Sequence, residues 1–395
     1  MSPLAIRAIT HGPRHHFFGY FGLQPWDATG RFLLCLEVPF SNRPPTSRDK
    51  AIVGMVDLEN SEFIRLGTTS AWNFQQGAMM QWMPNHPDSE IIFNDCKDGR
   101  VASVILNVHT LASREIGHPV SALSRDGRTA LSINFGRLQH VRPGYGYAVT
   151  DPFARMRHPS RDCINLVDLE TCEASPVVTL GDALRLYDRP DEIRNQTVCF
   201  NHTSYNTGNT RLAFMLQWRG YFLPRWARVW RFEKPRKVGS VMYTASLDGS
   251  DLAFLSGFER VSHYDWFNQN EILMWTKPSA GEPGFYLVNH RKGTCRAVGE
   301  GLLSEDGHCS FSPNRNWILV DTYPHNNYRE LKIFGFRERK EIRLGRFYSY
   351  PLRAEMRCDL HPRWNRTGTE VCFDSVHEGT RQLYVMNVSE ILEHS

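Results

Sequence analysis

One short hairpin pattern recurs along the whole chain and constrains its fold more than any other feature. Each copy has an aromatic or apolar residue, then a turn rich in Asp, Asn, Gly or Ser, and then an apolar strand. The clearest copies are HCSFSPNRNWILVDTY (308–323) and HPRWNRTGTEVCFDS (361–375). Seven copies are recognisable, and their anchor residues are Trp26, Trp82, Leu123, Tyr205, Trp266, Phe311 and Trp364.

The spacing of these copies predicts the architecture. A repeat of about 40–50 residues with four strands is typical of a β-propeller, in which blades surround a central channel. We therefore predict an all-β fold, a seven-bladed β-propeller with four-stranded antiparallel blades, formed as one domain by residues 1–395. A strand from residues 3–10 should close the last blade. Two β-sandwiches are the alternative, but they do not require seven copies of one hairpin. One helix is predicted, at 181–188.

Composition excludes several classes of protein. The longest apolar runs are about five residues, whereas a membrane-spanning helix needs about 20. The formal net charge of +4 is too weak for a general nucleic-acid binder. Nine scattered cysteines without a CxxC motif, and a first segment without a continuous apolar stretch, predict a cytoplasmic protein with reduced thiols and no signal peptide. We also expect a monomer.

Histidines recur at one register of the repeat. In four consecutive copies a histidine stands three positions before the anchor: His202, His263, His308 and His361. Because adjacent blades place equivalent residues at one level of the channel, we predict an arc of imidazoles. Neutral imidazoles beside a thiolate or carboxylate suit Zn²⁺ or Mn²⁺. We predict one divalent metal ion bound by the last three histidines, with Cys358 or Asp306 completing the site. A role in blade packing is the alternative.

Two long inserts between the second and third strands of neighbouring copies are basic and aromatic. The insert at 137–162 has five arginines and two aspartates, and the insert at 220–239 has six Lys or Arg, one Glu, Trp226 and Trp230. Both should overhang the histidines, because the first strand starts where the second ends. Arginine binds carboxylate or sulfate bidentately, and aromatic rings stack on sugars. We therefore predict an anionic oligo- or polysaccharide ligand; solvated loops are the alternative.

The segments HCSFSPNRNWILVDTYP, RCDLHPRWNRTGTEVCFDS and SHYDW resemble those of bacterial TolB-type propellers related to oligogalacturonate lyase and the seven-bladed ulvan lyases. The resemblance covers the last four copies best. It implies β-elimination of a uronic-acid-containing glycan, with a histidine or a His/Tyr pair moving protons and an arginine or Mn²⁺ assisting. By register, His202 resembles the catalytic histidine, and the other three channel histidines resemble metal ligands. Arg363 stands where the resemblance predicts a second ligand histidine. This argues against a catalytic Mn²⁺, and a structural Zn²⁺ bound with Cys358 is the alternative.

β-Elimination removes the proton at C5, beside the uronate carboxylate, and expels the oxygen at C4. It needs a base, an acid and a positive group that neutralises the carboxylate. The candidates are His202 or His140 for the base, Tyr145 or Tyr205 for the acid, and Arg219 or Arg137 for the positive group. The predicted substrate contacts are Arg137, Arg142, Gln76, Arg228 and Trp226. A non-catalytic propeller that binds an acidic glycan or protein, and a metal-dependent hydrolase, are the competing hypotheses.

Overall fold

The structure, a computed structural model, describes residues 5–219, 238–352 and 354–393. Seven separate four-stranded antiparallel sheets form the blades of a ring, which confirms the predicted seven-bladed β-propeller. The first strand of the chain, β1 (Ile6–Ala8), belongs to blade 7, and each other blade uses four consecutive strands.

From the channel outwards, the strands of the blades have the following bounds. Blades 1 and 2 contain β2 (His15–Phe17), β3 (Phe32–Val38), β4 (Ala51–Asp57) and β5 (Glu62–Thr69), then β6 (Gln81–Trp82), β7 (Glu90–Lys97), β8 (Arg100–Asn107) and β9 (Ser113–Ile116). Blades 3 and 4 contain β10 (Ala122–Leu123), β11 (Thr129–Ser132), β12 (Cys163–Asp168) and β13 (Ala174–Thr179), then β14 (Thr197–Tyr205), β15 (Arg211–Arg219), β16 (Gly239–Ser246) and β17 (Ala253–Phe254).

The remaining blades follow the same order. Blades 5 and 6 contain β18 (Phe258–Trp266), β19 (Glu271–Pro278), β20 (Gly284–Asn289) and β21 (Cys295–Val298), then β22 (Cys309–Phe311), β23 (Trp317–Asp321), β24 (Tyr328–Gly335) and β25 (Lys340–Tyr348). Blade 7 contains β26 (Arg363–Trp364), β27 (Glu370–Ser375), β28 (Gln382–Asn387) and β1.

The ring is closed by the N-terminal strand, as the sequence predicted. β1 pairs antiparallel with β28, with Ile6 opposite Met386 and Ala8 opposite Tyr384. The outer strand of blade 7 therefore comes from the opposite end of the chain. This pairing covers a sheet edge that would otherwise present unpaired backbone groups.

The described helices are short and peripheral. They are α1 (Phe135–Val141), α2 (Leu180–Leu186), α3 (Pro190–Ile193) and α4 (Ser389–Glu393), with a 3₁₀ turn at Ala354–Met356. The predicted helix corresponds to α2, which starts at a capping box between Thr179 and Asp182. α1 lies in the first basic insert and was not predicted; the Asn134 side chain caps it by accepting from the Arg137 amide. None of the described helices has the length and apolar character that a bilayer span requires.

The anchor tryptophans join neighbouring blades. The indole N–H of Trp82 in blade 2 donates to the Pro25 carbonyl of blade 1 (2.9 Å), and that of Trp266 in blade 5 donates to the Ser204 hydroxyl of blade 4 (3.0 Å). Each ring is nearly inaccessible. A buried indole usually finds a partner for its single donor, and at these two interfaces the anchor combines a large apolar ring with a specific hydrogen bond. The anchor of blade 1 differs, because the buried indole N–H of Trp26 has no partner among the described residues.

The inner strand of blade 1 is interrupted. β2 pairs with the end of β3, and the chain returns to the sheet only at Trp26, which bridges Leu33. Residues 18–24 leave the sheet between these points and enter the channel. We call these residues the channel segment. The sequence repeat covers only 23–38 of this blade, so neither β2 nor the channel segment was predicted.

Removing residues 1–12 should lower the melting temperature by several degrees, because the outer edge of β28 and the apolar residues beneath it become exposed. Thermal unfolding followed by circular dichroism measures the change. A synthetic peptide of residues 1–12 should restore the melting temperature, whereas the same peptide with prolines at positions 7 and 9 should not. The Ile9 amide donates to the Leu383 carbonyl at 3.0 Å, residue 7 faces β28 in the same way, and proline lacks this donor. If both peptides act alike, strand pairing is not the cause.

Candidate functional site

Three predicted channel histidines lie in contact with one another. The ring centroids of His263 and His308 are 4.2 Å apart, and those of His308 and His361 are also 4.2 Å apart. The three come from the inner strands of blades 5, 6 and 7 or the residues just before them. Burial and the neighbouring His308 lower the pKa of both His263 and His361, so these two imidazoles are neutral at neutral pH.

One buried carboxylate binds the ring of one of these histidines and the backbone of another. Asp321, at the end of β23, accepts hydrogen bonds from the His308 amide (2.8 Å) and from His308 Nδ1 (2.9 Å). It also accepts from the His361 amide at 3.2 Å. The two Nε2 atoms then face each other at 3.1 Å. A carboxylate that fixes Nδ1 and leaves Nε2 toward a shared point is the usual arrangement behind metal-binding histidines.

His308, His361 and Asp359 form a candidate metal site, with ligand atoms all within 4.8 Å of one another. The 3.1 Å between the two Nε2 atoms is close to the spacing of adjacent ligands at about 2.1 Å from one ion, so the imidazoles fit a divalent metal. Asp359 is more constrained, because Arg329 (2.6 Å) and Arg357 (2.6 Å) bind its oxygens. Burial would raise the pKa of Asp359, but these two arginines hold it well below its ordinary value.

The ligand set differs from the predicted one. His263 Nδ1 lies 2.9 Å from the Asp306 carboxylate. These two predicted metal ligands therefore bond to each other. Cys358 is buried with its thiol toward the Asp359 carbonyl, and burial raises its pKa to about 11. Successive side chains of an extended backbone point to opposite sides, which is why Asp359, one residue later, reaches the histidines instead of Cys358. All nine cysteines are free thiols.

A second cluster lies under the first basic insert. Tyr145 packs edge-on against His202, with 6.2 Å between ring centroids. The Arg142 guanidinium lies 3.7 Å above the Tyr145 ring, and Arg357 donates to the Tyr145 hydroxyl at 3.1 Å. The structure therefore brings three predicted residues, His202, Tyr145 and Arg142, to one place and adds Arg357, which the sequence did not indicate.

Burial and the two arginines shift the pKa values of this cluster. Burial would raise the pKa of Tyr145, but the positive charges of Arg142 and Arg357 outweigh it, and the pKa is lowered from 10.0. Burial, followed by Arg142 and the neighbouring histidines, lowers the pKa of His202 well below 6.5. At neutral pH the cluster thus combines a neutral imidazole, which can accept a proton, with a phenol that releases one more easily than usual.

His202 is held in an uncommon backbone conformation. Its φ is +48°, in the left-handed region, where a residue with a Cβ costs about 1 kcal/mol or more. Its backbone amide donates to the Asn201 side-chain oxygen at 2.8 Å. The Gln76 amide lies 3.4 Å from His202 Nδ1 and 3.3 Å from Asn201 Oδ1. Gln76, predicted as a substrate contact, therefore positions His202 in this structure.

The channel segment covers the histidines. Tyr20 stacks on His202 with 4.8 Å between ring centroids, and its hydroxyl lies 3.3 Å from His202 Nε2. Phe21 lies 5.0 Å from His308 and 5.8 Å from His263, again between ring centroids. These aromatic residues were missed because they precede the recognised repeat. The sequence FFGYFG (17–22) is the one signal that could have identified them.

Arg363 anchors the channel segment. Its guanidinium donates to the carbonyls of Gly19 (2.6 Å) and Tyr20 (3.3 Å) and pairs with buried Asp374 at 3.3 Å. Gly19 adopts φ +120°, and a Cβ there would lie 2.6 Å from the Gly77 backbone nitrogen, so only glycine fits. The arginine at the position where a ligand histidine was expected thus binds backbone carbonyls.

Arg137 is in the interior and not on the predicted ligand surface. It is fully buried, and its five N–H groups are occupied by Asp151 (3.2 Å) and by backbone carbonyls, among them Val198 (2.7 Å) and Arg157 (2.7 Å). The role predicted for it, binding the substrate carboxylate, needs an exposed guanidinium. Arg137 instead fixes the first insert against blade 4.

The other predicted site residues are dispersed. Tyr205 ends β14 beside the hairpin turn and bonds the Thr129 hydroxyl at 3.1 Å, so it is three residues, or about 10 Å of strand, from His202 and toward the opposite end of the channel. Burial raises its pKa, which opposes the predicted acid role. His140 is exposed on α1, and Arg219 ends β15 at the insert end. Arg228 and Trp226 lie outside the described residues.

Solved structures with the same fold include two oligogalacturonate lyases. One, described as in complex with manganese, aligns with a TM-score of 0.67 at 15% identity, over 97% of this chain and 93% of its own. The other, from Vibrio parahaemolyticus, aligns with a TM-score of 0.66 at 13% identity, over 98% and 94%. A structure from an analysis of two prolyl endopeptidases gives a TM-score of 0.52 at 10% identity, over 94% of this chain and 50% of its own. No family model and no curated protein matches the sequence. At such identities the similarity confirms the resemblance at the level of the fold.

Replacing Arg137 with Met should lower the free energy of unfolding by about 3–5 kcal/mol, because Asp151 loses its buried partner. Urea unfolding measures the change. Arg155→Gln removes an exposed charge from the same insert and should change stability by less than about 0.5 kcal/mol. A normal unfolding curve for Arg137→Met would contradict the structural role.

Proposed function

We propose that this propeller is a lyase that cleaves a uronic-acid-containing oligo- or polysaccharide by β-elimination at the insert end of its channel. The observation that supports this most is the cluster of His202, Tyr145, Arg142 and Arg357. It combines a neutral imidazole, a phenol beside two guanidinium groups, and positive charge in a water-poor position. These are the groups that abstraction of a proton beside a carboxylate requires.

In the proposed reaction, His202 takes the C5 proton of the uronate as general base. The electron pair of the C–H bond forms the C4–C5 double bond, and the bond from C4 to the glycosidic oxygen breaks. Tyr145 gives its proton to the departing oxygen. Arg142 and Arg357 offset the charge that develops on the carboxylate. Tyr20 lies 3.3 Å from His202 Nε2, so its hydroxyl must release that nitrogen when the substrate arrives.

A divalent metal ion is part of the proposal. His308 and His361 would hold it through Nε2, with Asp359 as a third ligand. Bound there, the ion would offset the buried carboxylates Asp321 and Asp359 and fix the two rings that support Phe21 of the channel segment. This is a structural role: the ion would hold the rings against which Tyr20 and Phe21 pack, and Arg357 would join its ligand Asp359 to Tyr145.

Activity is tested by incubating the protein with a panel of polyuronates and recording the ultraviolet absorbance of the conjugated double bond, which only elimination creates. We expect His202→Ala and Tyr145→Phe each to lower kcat by about 10²–10⁴-fold, the usual contribution of a general base or acid. Binding of a polyuronate without any unsaturated product would reject the lyase and leave a glycan-binding propeller.

The pH dependence of kcat/KM should be bell-shaped for the active enzyme. Activity should fall at acid pH, below 6.5, where His202 with its lowered pKa gains a proton. It should fall again at alkaline pH, below 10, where Tyr145 with its lowered pKa loses its proton. In Arg142→Gln both limbs should move to higher pH, because Arg142 lowers both pKa values. Arg155→Gln, an exposed change in the same insert, should move neither limb.

Metal content tests the proposed ion. Protein purified without chelators should contain about one equivalent of a divalent metal, measured by elemental analysis. His361→Ala should lose the metal, since it removes one of two facing Nε2 atoms. Cys358→Ser should retain it, because that thiol is directed away from the histidines. Loss of metal in Cys358→Ser alone would favour the ligand set first predicted from the sequence.

A further inference from the structure

A cleft lies at the insert end of the propeller, where β8 of blade 2 and β12 of blade 3 begin. Its volume is about 340 Å³, and residues of both blades and of the first basic insert line it. We call it the interblade cleft. His202, Tyr145, Arg142 and Arg357 do not line it, so the cleft is separate from the proposed active site.

Two exposed arginines line the interblade cleft. Arg100 comes from blade 2 and Arg161 from the first basic insert. Within the described parts of the chain, neither guanidinium forms a hydrogen bond or an ion pair. Both are therefore available to a ligand, and a guanidinium binds the oxygens of phosphate or carboxylate groups bidentately.

The negative charge in the cleft is already engaged. Asp162 is the one acidic residue among the described residues that line the cleft, and it is buried. Asn134 Nδ2 donates to this carboxylate at 3.3 Å, and Arg137 Nε lies 3.8 Å from it. The two free guanidinium groups therefore outweigh Asp162, and the cleft favours an anion.

Much of the wall of the cleft is apolar. Phe135, Phe153, Val101 and Val149 line it, and Phe135 is held by stacking on Tyr147, with 4.5 Å between ring centroids. A ligand with a flat or apolar group would remove this surface from water, which is favourable. An inorganic anion would leave the surface unused, so the ligand should carry such a group beside its charge.

A free amide also lines the cleft. Asn165 is half-buried on β12, and its Oδ1 accepts a hydrogen bond from the Cys163 thiol at 3.3 Å. The two N–H groups of this amide have no partner among the described residues. Ring nitrogens and carbonyl oxygens of a heterocyclic base accept hydrogen bonds from such N–H groups, whereas a hydrocarbon ring offers no acceptor.

We propose that the interblade cleft binds a nucleoside monophosphate. Its phosphate lies between Arg100 and Arg161, and its base lies against the apolar wall with one edge toward Asn165. A phosphate monoester carries a charge of about −1.5 to −2 at neutral pH, which matches two guanidinium groups better than the single charge of a carboxylate. The volume is at the lower end of the range for ligand sites, about 300–1,000 Å³, which suits one nucleotide.

Calorimetric titration with the common ribonucleoside monophosphates tests the site. We expect at least one of them to bind saturably to one site. Its parent nucleoside lacks the phosphate, and ribose 5-phosphate lacks the base. Each of these two should bind at least about tenfold more weakly, because the first loses the charge-assisted hydrogen bonds and the second loses the contact with the apolar wall.

Variants of the two arginines locate the phosphate. Arg100→Gln and Arg161→Gln should each weaken nucleotide binding about tenfold or more. Neither should lower the melting temperature, because both side chains are exposed and lack partners among the described residues. Two matched controls remove exposed charges that do not line the cleft: Lys97→Gln, opposite Arg100 in the β7–β8 hairpin, and Arg155→Gln, in the same insert as Arg161. They should change binding less than about twofold.

The proposal is wrong if no nucleotide of the panel binds, or if the nucleoside or ribose 5-phosphate binds as tightly as the nucleotide. It is also wrong if the arginine variants bind normally, or if either control weakens binding as much as they do. Nucleoside monophosphates contain no uronate, so these results do not depend on whether the protein is a lyase.

Discussion

The candidate site depends on one buried ion pair, between Arg363 and Asp374. The pair lies inside the channel wall, and its guanidinium also holds the carbonyls of Gly19 and Tyr20. Removing Asp374 would leave a buried guanidinium without its counter-ion, and removing Arg363 would release the channel segment. Because Tyr20 stacks on His202 and Phe21 packs on His308 and His263, both parts of the candidate site depend on where this single guanidinium binds.

Buried arginines organise the irregular parts of the chain. Arg137, Arg363 and Arg381 each donate to two or more backbone carbonyls of segments outside the sheets. Loops and inserts lack strand partners for these carbonyls, and a guanidinium with five donors can satisfy several at once. A basic insert is therefore not by itself a sign of an anionic ligand. Arg142 and Arg357, which lie beside a titratable phenol, are the ones that bear on chemistry.

The sequence correctly predicted those features that the register of the repeat determines. The histidines share one register with the anchors, so their meeting in the channel followed from blade geometry, as did the position of the first insert. The channel segment could not be predicted, because it interrupts an inner strand that the repeat only partly records. The burial of Arg137 could not be predicted either, because a count of charges in the insert does not distinguish Arg137 from Arg142. That the Asp359 side chain, and not Cys358, lies beside the histidines depends on which of two successive side chains faces inward, and the local sequence does not determine this.

The pairing of β1 with β28 has a consequence for the order in which the molecule assembles. During synthesis the strand at residues 6–8 must wait until residues 382–387 have left the ribosome, so blade 7 is the last to be completed. The channel segment must wait as well, because Arg363 and the histidines that surround it come from blades 4 to 7. The earlier blades can form as hairpins while the ring is still open, with the aromatic residues of the channel segment exposed. Burial of that segment and closure of the ring are therefore coupled late events.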